Sequence, residues 1–77
     1  MKLSAEQFKK VILKILKTPY IPEKVMKEIR NRGYGDYFYY SISKEKAIKI
    51  IKELKKDNVL PKLPTARAAI KAVLKEG

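Results

Sequence analysis

The 77 residues contain no cysteine, no histidine and no tryptophan. Without cysteine there is no disulfide staple and no thiolate metal site. Without histidine the most frequent general base and imidazole metal ligand are missing. Glycine is scarce, with three residues. Gly33-Tyr34-Gly35 is a two-glycine turn rather than a GxxxxGK(S/T) phosphate loop. Acids are few, eight against nineteen Lys and Arg, and no two of them are spaced as a metal pair or an acid–base pair. A non-catalytic chain is expected, with no metal, cofactor or small-molecule substrate. No apolar run approaches the ~20 residues that span a bilayer. Polar residues follow Met1-Lys2-Leu3-Ser4, where a signal peptide would be apolar. A soluble, cytoplasmic protein is expected, with no membrane partner.

What the chain has in excess is positive charge. The formal net charge is +11, which raises self-repulsion in a compact state. Thermophile-like lysine enrichment would bring matching glutamate, and the eight acids do not match. A bound polyanion would neutralise the surplus. At this length one domain is expected, near the lower limit of independent folding, with its core built from Ile, Leu, Val and Met.

Four helices are predicted. Ser4 and Gln7 are spaced as a capping box, with Leu3 and Phe8 at hydrophobic-staple positions. Phe8, Val11, Ile12, Ile15 and Leu16 follow as one apolar stripe, and Thr18-Pro19 ends the helix. A second helix begins with Pro22 at its first position, has Ile21, Val25, Met26 and Ile29 as its apolar side, and stops at Gly33. The third opens at Ser43, turns Ala47, Ile48, Ile51 and Leu54 inward with Ile50 at the edge, and stops at Asn58. Val59 and Leu60 then form an apolar latch. Thr65 caps a fourth helix with Ala66, Ala69, Ile70, Val73 and Leu74 inward, ended by Gly77. The expected fold is all-α: a compact four-helix module, with a short strand or extended aromatic segment open between helices two and three.

The cations fall on the outer faces. Lys10, Lys14 and Lys17 share one side of the first helix. Lys46, Lys49, Lys52 and Lys56 lie opposite the third helix's stripe. Arg67, Lys71 and Lys75, four apart, form a ridge on the fourth. A charge run is most often a solvated face. Its repetition over three helices points instead to phosphate contact. Glu45 and Glu53 are expected to pair with neighbouring lysines. Residues 33 to 43 form the longest stretch without Lys or Arg and hold five of the seven aromatics. Tyr34, Phe38 and Tyr40 are expected to fill the space between helices two and three. Tyr37 and Tyr39 share parity in an extended chain and are expected to face outward, where they could stack on unpaired bases.

Two resemblances meet at the third helix. Residues 43–60, from Ser43-Lys44-Glu45-Lys46 to Asn58-Val59-Leu60, resemble the recognition helix of winged helix-turn-helix proteins. That likeness implies that Ser43, Lys44, Lys46 and Lys49 face a DNA groove. Ile21-Pro22-Glu23-Lys24-Val25-Met26-Lys27-Glu28-Ile29 and Ala47-Ile48-Lys49-Ile50-Ile51-Lys52-Glu53-Leu54, followed by Val59-Leu60-Pro61, are similar in order and spacing to the central helical domain of the Shwachman–Bodian–Diamond ribosome-maturation family. This second likeness implies a ribosome or structured-RNA context. The expectation is a nucleic-acid-binding accessory component of a larger ribonucleoprotein assembly, with structured RNA first and duplex DNA second. Under the DNA alternative it would serve a DNA polymerase or related DNA-processing complex. A protein-interaction subunit for an acidic partner is the third alternative.

Overall fold

Ser4 opens the first helix as its spacing predicts. Its Oγ accepts from the Gln7 N–H at 3.0 Å, and Gln7 Oε1 accepts from the Ser4 N–H at 2.9 Å. Both otherwise orphaned donors are satisfied reciprocally. In the computed structural model, which describes residues 1–76, this helix, α1, runs Ala5–Leu16. It ends at Lys17, which takes a left-handed conformation (φ 60°) and donates its N–H to the Leu13 carbonyl.

The all-α expectation needs one correction. Lys2–Leu3 (β1) pairs antiparallel with Ile42–Ser43 (β2), in the register Lys2 opposite Ser43 and Leu3 opposite Ile42. The Lys44 N–H continues the ladder to the Met1 carbonyl at 2.9 Å. Two-residue strands are too short to show alternation. Leu3 and Ile42, which face each other, are both buried in the core.

The second helix, α2, runs Glu23–Asn31. Pro22 caps it rather than occupying its first turn: its carbonyl accepts from the Met26 N–H at 3.0 Å while its own ψ stays extended at 145°. Gly33 follows at φ 85°, where a side chain would be strained. That conformation lets the Tyr34 N–H reach back to the Ile29 carbonyl at 3.1 Å.

The aromatic segment is not extended. Gly35–Phe38 forms a 3₁₀ turn, and the strand is confined to β2. The third helix, α3, runs Lys44–Lys56, with Ser43 Oγ accepting from the Lys46 N–H. Asn58 takes the left-handed conformation (φ 62°) expected of a stop. The Leu54 carbonyl then accepts from both Val59 and Leu60 N–H groups, which buries Leu60 as the predicted latch. The fourth helix, α4, runs Ala66–Glu76, with Thr65 Oγ1 accepting from the Ala68 N–H. The expected stop at Gly77 lies outside the described residues.

The molecule is therefore mostly helical. α1 packs along α4 and against the 3₁₀ turn, and α3 packs on α4 and the small sheet. Seventeen apolar side chains form one continuous core. Ile70 and Val73 are buried in it as predicted, and Ile50, expected at an edge, is buried too. The radius of gyration, 11.0 Å, matches the roughly 11–12 Å of a close-packed domain this long.

Candidate polyanion-binding surface

Helical geometry groups the exposed cations of α3. Lys49, Lys52 and Lys56, spaced i, i+3, i+7, share one side and are exposed. Lys46, three residues before Lys49, is its neighbour at the edge of that side. Its Nζ stands 5.4 Å from the centre of the Tyr37 ring, a cation–π distance. Lys44 is half-buried. It lines a shallow groove with Glu45, Ile48 and the exposed Arg67. The start of α3 and the start of α4 thus place one cation each, Lys44 and Arg67, at one groove. Arg67, Lys71 and Lys75 are all exposed along α4. On the far side, Lys10, Lys14 and Lys17 line a second groove with Leu13, Pro19 and Glu76. Glu76 sits inside this basic site, 2.6 Å from Lys14 Nζ. The hydrogen bond and charge of Lys14, with Lys10 adding, hold its carboxyl below the ordinary range.

Acids and cations are unevenly matched. Arg32 alone engages three carboxylates: Glu28 at 2.8 Å, Glu53 at 2.8 Å and Asp57 at 2.7 Å. Tyr34 donates its hydroxyl to the second oxygen of Glu53 at 2.7 Å. The Tyr34 bond and then Arg32 hold the Glu53 carboxyl below its usual value, and the same bond raises the Tyr34 phenol. The three carboxylates push the Arg32 guanidinium above its already high value, led by Asp57. They surround a guanidinium and do not form a group able to hold a metal. Glu53 therefore pairs with α2 and the loop after it, not with lysines of its own helix. Among the described residues Glu45 makes no ion pair. Besides Arg32, only Lys14 of the nineteen cations is ion-paired among them. The Arg32 corner holds one positive and three negative charges, so the rest of the chain carries more than the formal +11.

Ser43, Lys44, Lys46 and Lys49 differ in how far they are exposed. The hydroxyl of Ser43 is engaged as the α3 cap, and only Lys46 and Lys49 are fully exposed.

The parity expected for the tyrosines is corrected by the 3₁₀ turn, which rotates successive side chains by roughly 120° instead of 180°. Tyr37 and Phe38 both turn inward onto Phe8, with ring centres at 6.3 and 6.2 Å. Tyr34 packs against the core as expected. Tyr40, expected inside, is 68 % exposed, and Tyr39 is 74 % exposed.

Lys55 was not among the expected functional or core residues. It is 9 % exposed, and its ammonium donates to the carbonyls of Pro61 (2.7 Å), Lys62 (3.1 Å) and Pro64 (2.6 Å). Burial pulls its pKa below the ordinary lysine value, while the three acceptors favour the charged form. The available signal was register: Ile48, Ile51 and Lys55 are spaced i, i+3, i+7, on the buried stripe.

Comparison with known protein families, curated proteins and solved structures gives no match. The two resemblances at α3 rest on their own residues alone.

Proposed function

We propose that the chain is a small non-catalytic nucleic-acid-binding module. It would hold phosphates along α1, α3 and α4 as an accessory part of a larger ribonucleoprotein or ribosome-associated assembly. One observation carries this reading. Lys49, Lys52 and Lys56 on α3 and Arg67, Lys71 and Lys75 on α4 have no ion-pair partner among the described residues, while three of the eight acids gather on one arginine. Regularly spaced, exposed ammonium and guanidinium groups match a phosphate backbone, whose charges also repeat regularly. Folded RNA is the first ligand to test and duplex DNA the second.

The test is a salt titration of binding to each. If about four to six phosphates are neutralised, log K falls against log salt with a slope of about −3 to −5. Competition then ranks the two ligands, since folded RNA that is preferred is displaced poorly by duplex DNA. Affinity that stays flat from low to high salt, or no binding to either ligand, removes the reading. Binding to polyglutamate alone would assign the surface to an acidic protein.

A further inference from the structure

The aromatic turn contains a sharp division. Tyr37 and Phe38 pack on Phe8, and Tyr37 is flanked on its open side by Lys46. Tyr39 and Tyr40 follow immediately and are among the most exposed large side chains of the protein. Their backbone is nevertheless fixed, because both N–H groups donate to the Asp36 carbonyl, at 3.0 and 2.9 Å. Neither ring pairs with another aromatic among the described residues. The tyrosine hydroxyl that finds a side-chain partner is that of Tyr34. Each such ring could bury roughly 150–250 Å², and two adjacent ones in so small a core are left in solvent.

We infer that Tyr39 and Tyr40 form a stacking platform for unpaired nucleobases. The inference rests on the nucleic-acid reading above and makes the ligand more specific: a nucleic acid that offers unpaired bases next to its phosphates. Three features fit that chemistry. The rings are free, so their faces can receive a base. The anchored backbone lowers the ordering cost of binding. Lys46 of α3, whose Nζ stands 5.4 Å from the Tyr37 ring, supplies a cation close to the turn that carries the platform, the combination used wherever bases stack without sequence readout. A continuous duplex keeps its bases stacked on each other and offers no such face. A single strand does, and so does a loop of folded RNA.

The experiment measures fluorescence anisotropy with four probes of matched charge: oligo-uridine, oligo-thymidine, an RNA hairpin with an open loop, and a blunt DNA duplex. Two variants are compared with the natural chain, Tyr39→Ala/Tyr40→Ala and Tyr39→Phe/Tyr40→Phe. Melting temperatures should agree, because the removed rings are exposed. The alanine pair should bind the unpaired probes about tenfold or more weakly and the duplex almost unchanged. The phenylalanine pair, which keeps both ring faces, should retain binding to within about twofold of the natural chain. Equal loss with oligo-uridine and oligo-thymidine identifies the bases as the shared element, and loss confined to the RNA probes narrows the ligand to RNA. If the natural chain binds all four probes and the alanine pair binds them as well, the platform is wrong and the phosphate reading stands. Equal loss on duplex and single strands overturns it too. No binding by the natural chain to any nucleic acid removes both readings together.

Discussion

The charged residues along α3 and at its end meet opposite fates. Glu53 and Asp57 close on Arg32, with Tyr34 completing the corner. Lys49, Lys52 and Lys56 stand in solvent. Lys55, next in sequence to Lys56, has a third fate, buried and held by three carbonyls. Opposite charges meet where the chain folds onto itself, and the surplus of one sign is left where no protein element covers it. An exposed pair adds little to stability, about 0–1 kcal/mol at the median. The arrangement therefore does more to set the distribution of charge than to hold the fold together. It concentrates negative potential at one corner and leaves the other faces positive, a distribution that orients and accelerates approach of a polyanion.

The comparison requires a fixed α3, and the largest effect comes from breaking the core beneath it. Ile51 is fully buried. Ile51→Ala should cost about 2–5 kcal/mol, a large part of what a domain of this size has. Denaturant unfolding measures it. A loss below about 1 kcal/mol would mean that α3 is held by something other than its apolar stripe, and its charged residues could not then be treated as fixed in place.

The next effect separates the two fates directly. Lys49→Gln, Lys52→Gln and Lys56→Gln combined should leave stability within about 0.5 kcal/mol, since these groups have no protein partners to lose. The salt slope for nucleic-acid binding should flatten by about two to three, roughly one for each phosphate contact removed. Arg32→Gln should do the reverse, lowering the melting temperature while leaving the salt slope in place. A triple variant that binds with an unchanged slope would show that these lysines are a solvated face and no more.

How much of this was legible in the sequence follows from the range of the interactions. The caps of α1, α3 and α4 were readable because Ser4, Ser43 and Thr65 act on N–H groups within three residues. The apolar stripes were readable because helical periodicity is local. The β1–β2 pair was not, since its partners lie some forty residues apart and span two residues each. The Arg32 corner was hidden for the same reason: Arg32 and Glu53 are separated by 21 positions, and only the tertiary fold brings their side chains together. The tyrosine parity failed on a different point. Alternation was assumed for a segment whose backbone bonds, Tyr37 to Tyr34 and Tyr39 to Asp36, close a 3₁₀ turn. The exposed cations were legible as exposed, but their lack of partners required knowing where the acids go.

The smallest expected effect is acid sensitivity of the balanced corner. The Glu53 carboxyl is depressed in the folded chain by the Tyr34 hydroxyl and by Arg32, whereas an unfolded glutamate titrates near about 4.3. A carboxyl with a lower folded than unfolded pKa binds fewer protons in the native state, so its contribution is complete above the unfolded value. It declines as pH falls below that value and is gone once pH has passed through the depressed folded value. Glu76, depressed by Lys14, acts in the same direction. Melting temperature should therefore change little between pH 7 and 5 and fall below about pH 4.5. Because these groups remain solvent-accessible, added salt should shrink the effect. Glu53→Gln keeps an acceptor for Tyr34 but cannot ionise, so it should start lower at pH 7 and lose less on acidification. Parallel melting curves for Glu53→Gln and the natural chain across the whole acid range would mean that the corner holds its geometry without contributing charge-dependent stability. The contrast between the paired and the solvent-facing charges of α3 would then lie in where charge is placed, with no energetic difference behind it.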